Sequence, residues 1–274
     1  MDIKAFKMDG LGNDFVIIDQ RTQNYNLTKD QIIRICDRNF IGCDQLIFIQ
    51  KSDQKDAGLE FYNSDGSISG ACGNGTRCVA DLLSKENNDK EITLWTSSGV
   101  LKSQILSNNL VETEIGIAKT NWNEIPLNKN LDTKNLKIKI VNKDNIEHIG
   151  GTSVNVGNPH VVFFVDNIED YDLEKIGPEI ENHNYFPEKC NVTLAKVISK
   201  KLIKVKVWER GAGLTKACGT AACATAVAAN INGLTEKKTD VEFTLGKLSI
   251  TIDQNNSIHM KGPVSDIKNI KINI

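Results

Sequence analysis

The chain has 274 residues, 40% of them hydrophobic and 25% charged, with a formal net charge of −2. This is ordinary globular composition, long enough for one large domain or two of usual size. The charge gives no electrostatic case for nucleic acid or an anionic membrane, so the expected partner is a small molecule. The start, Met1 to Lys7, lacks the apolar core of a signal peptide, and the longest aliphatic-aromatic run, Val161 to Val165, cannot span a bilayer. A cytoplasmic protein is expected, its seven cysteines reduced rather than joined in a disulfide framework.

In chain order, short β-branched runs separated by turn residues predict strands at 14–19, 46–50, 59–62, 91–96, 110–115, 136–141, 161–165, 203–208, 241–245, 248–252 and 257–260. Gly246-Lys247 reads as a two-residue hairpin connection between two of them, so antiparallel sheet is expected in the second half. Helices are fewer. Thr28 is placed to cap one whose buried side carries Ile32, Ile33, Ile35 and Cys36. A second, 76–85, mixes Val79, Leu82 and Leu83 with Arg77, Asp81 and Lys85, which predicts partial enclosure. A weaker one at 173–182 is interrupted by Gly177-Pro178. The last, 220–229, has no charge and almost nothing larger than Val227, so it has no solvent face and should be buried all round.

The two small-residue helices are each preceded by the same tripeptide, Ala71-Cys72-Gly73 and Ala217-Cys218-Gly219, 146 residues apart (218 − 72). The flanks keep that spacing to within one residue. Asn13 corresponds to Asn158, and Phe61-Tyr62-Asn63 to Val207-Trp208-Glu209. A repeat this long indicates two homologous domains, with equivalent sites across a shared cleft. The expected fold is α+β, each domain a curved, mostly antiparallel, barrel-like sheet around a central helix. The expected domains are 1–117, joined by the tail 264–274, and 118–263.

A cysteine just before a helix meets unpaired backbone N–H groups and the positive end of the dipole, so its pKa should fall below about 8.5. Gly73, Asn74, Gly75, Gly219 and Thr220 leave the backbone open enough for their amides to grip a carboxylate. An amino-acid α-carbon held between two such thiols could lose its proton to one and receive a proton from the other, with inversion. Charge developing on the carboxylate would be stabilised by the helix ends. Cys72 and Cys78, or Cys218 and Cys223, lack zinc-site spacing, and no metal is expected. A thiol redox pair and a non-catalytic amino-acid binding module remain as alternatives. Cys36, Cys43, Cys78, Cys190 and Cys223 read as core packing. His160 and Glu209 could tune the cysteines or serve as structural hydrogen-bond partners.

These residues resemble the diaminopimelate epimerase family. The carriers are Gly10-Leu11-Gly12-Asn13-Asp14-Phe15, Phe61 to Gly66, Cys72 to Cys78, Gly157-Asn158-Pro159-His160, and Trp208 to Gly213 leading to Ala217-Cys218-Gly219-Thr220. The resemblance implies a cofactor-independent isomerase, without PLP or metal, that interconverts LL- and meso-2,6-diaminopimelate in lysine and peptidoglycan precursor biosynthesis. It implies Cys72 and Cys218 as acid/base pair, tuned by His160 and Glu209. Gly73, Asn74, Gly219 and Thr220 would form the carboxylate cradle, and Asn13, Gln45, Asn63, Asn158, Asn191, Glu209 and Arg210 the remaining substrate contacts. A proline or hydroxyproline racemase is the near alternative, but such a cyclic substrate has no distal zwitterion for Arg210 and the asparagines. A homodimer is also implied, although Lys268 stands where members with a dimer-forming aromatic carry Tyr.

Overall fold

A computed structural model of the chain describes residues 2–107 and 109–274. Its first half runs β1 (Asp2–Gly10), β2 (Asn13–Asp19), α1 (Lys29–Cys36), β3 (Gln45–Gln50), β4 (Ala57–Asn63), β5 (Ile68–Ser69), α2 (Gly73–Asn87), β6 (Glu91–Thr96), β7 (Gly99–Ser107) and β8 (Leu110–Ile117). A small hairpin, β9 (Ile138–Val141) and β10 (Glu147–Gly150), precedes β11 (Thr152–Asn155), β12 (Pro159–Phe164), α3 (Leu173–Glu181), β13 (Asn191–Ser199) and β14 (Leu202–Glu209). The chain continues through β15 (Gly213–Thr215), α4 (Gly219–Ile231), β16 (Lys238–Phe243), β17 (Gly246–Ile252), β18 (Ser257–Pro263) and β19 (Lys268–Asn273).

The order β1 to β8, with its two helices, recurs as β11 to β18, and the pairing recurs with it. β2–β3 and β12–β13 are parallel, β3–β4 and β13–β14 antiparallel, and β4–β6 and β14–β16 parallel. Each parallel join is crossed by a helix, as parallel neighbours require. The chain divides into Met1–Glu114 with Lys261–Ile274, and Ile115–Met260. The end of the chain belongs to the first unit because β19 pairs antiparallel with β1, Ala5 opposite Ile270.

In the first unit β2 and β3 are buried on both faces. Phe15, Ile17, Ile47 and Ile49 pack with Cys78, Val79, Leu82 and Leu83 of α2. Val16, Ile18, Leu46 and Phe48 pack with Ile32 and Ile35 of α1. Burial on both faces explains why both strands read as continuous apolar runs. Thr28 caps α1 in a reciprocal box with Gln31. Ile33, expected inside, is 38% exposed, because it lies one residue off the i, i+3, i+4 stripe of Ile32, Ile35 and Cys36. Helix α2 is more enclosed than its charges suggest, with every residue from Asn74 to Ser84 buried. It packs against β1, β2, β6 and β7, and its buried Asp81 is paired with Lys85 at 2.7 Å.

In the second unit α4 is buried from Ala221 to Ala229, packed against β11, β12, β13, β16 and β17. Helix α3 runs through Gly177-Pro178 rather than breaking there. The hydrogen bond lost at the proline leaves only the carbonyl of exposed Glu174 for water to satisfy. Gly177 is needed because a Cβ there would overlap the Trp208 ring. The β16–β17 hairpin turns at Thr244-Leu245 and not at Gly246-Lys247. Phe243 pairs with Gly246, which opens the second strand at φ 144°.

Candidate active site

Cys72 and Cys218 are the N-cap residues of α2 and α4. Their backbones match, φ −143°, ψ 110° and φ −139°, ψ 116°, and neither makes a side-chain capping bond. The first intrahelical bonds are Thr76 N to Cys72 O at 2.8 Å and Ala222 N to Cys218 O at 3.0 Å. The amides ahead of them, those of the first turn, are the donors a helix leaves without intrahelical acceptors.

The first unit gathers six of the expected residues. Cys72 is half-buried, its Sγ 3.8 Å from Asn13 Oδ1. Asn74 Nδ2 donates to the same oxygen at 3.3 Å. The orientation of Asn13 is set from its other end, where Nδ2 donates to Asp44 Oδ2 at 3.0 Å. Asp44 also accepts the Asp14 amide at 3.1 Å and is paired with Arg38. Gln45 and Asn63 face one another across β3 and β4, joined by Gln45 Nε2 to Asn63 Oδ1 at 2.8 Å, and Asn63 Nδ2 donates to Ser67 Oγ at 3.0 Å. Gln45 Oε1 and Asn74 Oδ1 are buried without a hydrogen-bond partner. Gly73 begins the helix. Two residues on, Gly75 lets it approach the strands, since a Cβ would come within 2.7 Å of Ile47 and 3.1 Å of Phe61.

The second unit gathers the other eight. Cys218 is buried, with Thr220 Oγ1 3.4 Å from its sulfur and Gly219 buried between them. Burial, then the Glu209 carboxylate, pushes the Cys218 thiol well above its ordinary value. The Thr220 hydroxyl and the Ala221 amide pull the other way by less. The expected lowering at a helix start therefore fails here, because desolvation and a neighbouring anion outweigh a few partial charges.

His160 is fully buried, its Nε2 2.8 Å from Asn158 Oδ1. A carbonyl oxygen only accepts, so Nε2 carries the proton and Nδ1, buried and without a hydrogen-bond partner, is left as a lone pair. Burial, and then the Arg210 charge, lowers His160 to about 3, so it is neutral near pH 7. Asn191, one register step beyond the Val192–Trp208 pair, clamps β12 to the end of β14. Its Nδ2 donates to Pro159 O and its Oδ1 accepts the Arg210 amide, both at 3.0 Å. Arg210 is exposed and spends one guanidinium N–H on Glu188 O at 2.7 Å.

Two supporting carboxylates escaped the sequence reading. Asp44 adjoins Gln45, and only the fold shows it turned to Asn13. Glu181, the last residue of α3, is buried and accepts Trp208 Nε1 at 2.7 Å and the Gly211 amide at 3.3 Å. It thereby holds both sides of the Glu209-Arg210 turn. Among the described residues no group of three or more His, Cys, Asp or Glu could hold a metal ion, and no helix is long and apolar enough to cross a membrane.

The sequence profile of diaminopimelate epimerase matches residues 5–120 and again 152–267. A diaminopimelate epimerase of Pelagibacter ubique (strain HTCC1062) is 76% identical over 274 residues, all of both chains. One from Acidiphilium cryptum (strain JF-5) is 40% identical over 260 residues, 94% of this chain and 92% of the relative. Among solved structures, a Bacillus anthracis phenazine biosynthesis protein of the PhzF family shares the fold at a TM-score of 0.70 and 16% identity, covering 100% of each chain. A probable proline racemase from Agrobacterium radiobacter K84 does so at 0.68 and 9%, covering 99% of this chain and 93% of the other.

Proposed function

Because the chain belongs to the diaminopimelate epimerase family, we propose that it interconverts LL- and meso-2,6-diaminopimelate by a two-base mechanism with Cys72 and Cys218. The observation that carries this reading is the pair of cysteines at N-cap positions without side-chain caps. Ser, Thr, Asp or Asn is preferred there, and giving up such a cap costs about 1 kcal/mol. A chain that gives up the usual capping residue twice, at equivalent positions, places a thiol beside first-turn amides in each unit.

The carboxylate at the reacting carbon would accept from the amides of Gly73, Asn74, Gly219 and Thr220, which strengthen their hold as negative charge develops. Cys218, kept protonated by burial and by Glu209, donates to one face of the carbon. Cys72, beside the Asn13 amide, takes the proton from the other. In the reverse reaction the roles exchange, with His160 and Glu209 as the residues that tune the two cysteines. The distal ammonium and carboxylate stay chemically unchanged. Arg210 suits the carboxylate, and Asn13, Gln45, Asn63, Asn158 and Asn191 can donate and accept without adding charge. A proline-type substrate would leave Arg210 unmatched, so turnover should favour diaminopimelate strongly over proline. The family resemblance also supports a cytoplasmic homodimer, which sedimentation would test.

Separate Cys72→Ser and Cys218→Ser proteins test the reading. Turnover of LL-diaminopimelate should fall about 10²–10⁴-fold in each, the scale of a positioned acid or base, with folding retained. Normal turnover in either variant would exclude the two-cysteine mechanism.

A further inference from the structure

The first unit buries a second pair of thiols away from the cysteines at the helix starts. Cys36, the last residue of α1, and Cys43 are 3% and 1% exposed, with their sulfurs 3.5 Å apart. The backbone brings them together. Gly42 N donates to Ile35 O at 3.0 Å and Cys43 N to Cys36 O at 3.2 Å, closing the loop between them. Gly42 makes the return at φ 76°, a conformation glycine adopts without steric cost.

Buried cysteines of a core are usually inert packing, and three features set this pair apart. The sulfurs touch. Both residues line a pocket of about 380 Å³ shared with Arg38 and Asp44. The Cys43 thiol donates to the Cys36 sulfur; that bond, together with the nearby Arg38 charge, favours the Cys36 thiolate, while Cys43 is pushed up. One sulfur is thus disposed as nucleophile and the other as its resolving partner.

We propose that Cys36 and Cys43 form a reversible intramolecular disulfide on meeting a small two-electron oxidant, a peroxide. The Cys36 thiolate attacks one peroxide oxygen; the O–O bond breaks, and the leaving hydroxide takes a proton to become water. Cys36 is then a sulfenic acid. The Cys43 sulfur attacks the Cys36 sulfur, the S–O bond breaks, and the second water leaves with the Cys43 proton. Two thiols and one hydrogen peroxide give one disulfide and two waters. The sulfurs must close from 3.5 Å to about 2.05 Å, and the exposed segment Asp37 to Phe40 can absorb that adjustment. Cys43 directly precedes Asp44, whose carboxylate holds Asn13, so the new bond forms one residue from the support of that amide.

The test is peptide mapping of full-length Cys72→Ala protein after hydrogen peroxide treatment, a variant in which Cys72 and Cys218 cannot form a competing disulfide. Free thiols are alkylated under denaturing conditions before digestion with trypsin. Cleavage after Arg34, Arg38 and Lys51 places Cys36 in peptide 35–38 and Cys43 in peptide 39–51. The expected result is one species linking these two peptides, separated by reductant. Recovery of both peptides unlinked and alkylated after exhaustive oxidation, or of Cys43 joined to a different cysteine, would overturn the proposal. Wild-type protein mapped in the same way gives the same reading if Cys72→Ala does not fold. The proposal uses no statement about epimerisation, so its failure leaves the catalytic reading untouched, and loss of the catalytic reading leaves it standing.

Discussion

At the start of α2 a half-buried thiol faces the side-chain amide of Asn13, which also accepts from Asn74; at the start of α4 a buried thiol faces a carboxylate, Glu209, and a hydroxyl, Thr220. The capping backbones differ by only a few degrees, and the strands behind them pair in the same pattern. Position for position, Asn63 stands where the second unit has Glu209, Phe15 where it has His160, and Gly75 where it has Ala221. Duplication supplies the geometry twice, and substitution at a few strand ends gives the two thiols different chemistry. An inversion in which one thiol gives a proton while the other takes one needs the two in opposite protonation states, which the reverse reaction exchanges.

The largest effect expected from breaking the comparison is on packing. Gly75→Ala would drive a methyl group into Ile47, Phe61 and Phe15, and should destabilise the protein by about 1–3 kcal/mol in denaturant melts, the usual scale of overpacking. Ala221 already fills the equivalent place in α4, so Ala221→Gly should cost about 1 kcal/mol, mainly through helix propensity. Equal and negligible costs at both positions would show that α2 is not held as closely as described.

The second effect is a pH dependence that arises from histidine in the second unit. His160 has a folded value of about 3 against an ordinary value of 6.5. Between those values the unfolded chain binds a proton that the native chain does not, so stability should fall as pH drops from 6.5 towards 3 and be fully present above 6.5. His183, also lowered by burial, adds a smaller term of the same sign. Melts of His160→Gln between pH 4 and 7 should show a flatter slope than wild type; an unchanged slope would mean that His160 is solvated. The smallest effect concerns reactivity. Glu209→Gln removes an anion that raises Cys218, so Cys218 should alkylate several-fold faster at neutral pH. No change in that rate would leave burial as the sole cause.

The duplicated plan was legible because it is local. The Ala-Cys-Gly tripeptides and the asparagines ahead of them keep their spacing, and α4 shows its enclosure through composition alone. Elements whose role depends on a distant partner were less legible. β1 and β19 alternate Lys with buried residues and look like solvated chain until they pair with one another. The enclosure of α2 was hidden by Arg77 and Asp81, charged residues buried here. Glu209 was visible as a residue that could tune the cysteines, but its place beside Cys218 and the depth of burial that raises that thiol are tertiary properties. Asp44 and Glu181 hold site residues through contacts no spacing rule anticipates.

The central claim, that two thiols serve opposite faces of one carbon, is tested most directly by the early turnover of LL-diaminopimelate in deuterated water. The account predicts solvent deuterium at the inverted α-carbon of the meso product while recovered LL substrate remains unlabelled at that stage. Retention of the original hydrogen in the product, or label entering recovered substrate as fast as product, would indicate a single base and contradict it.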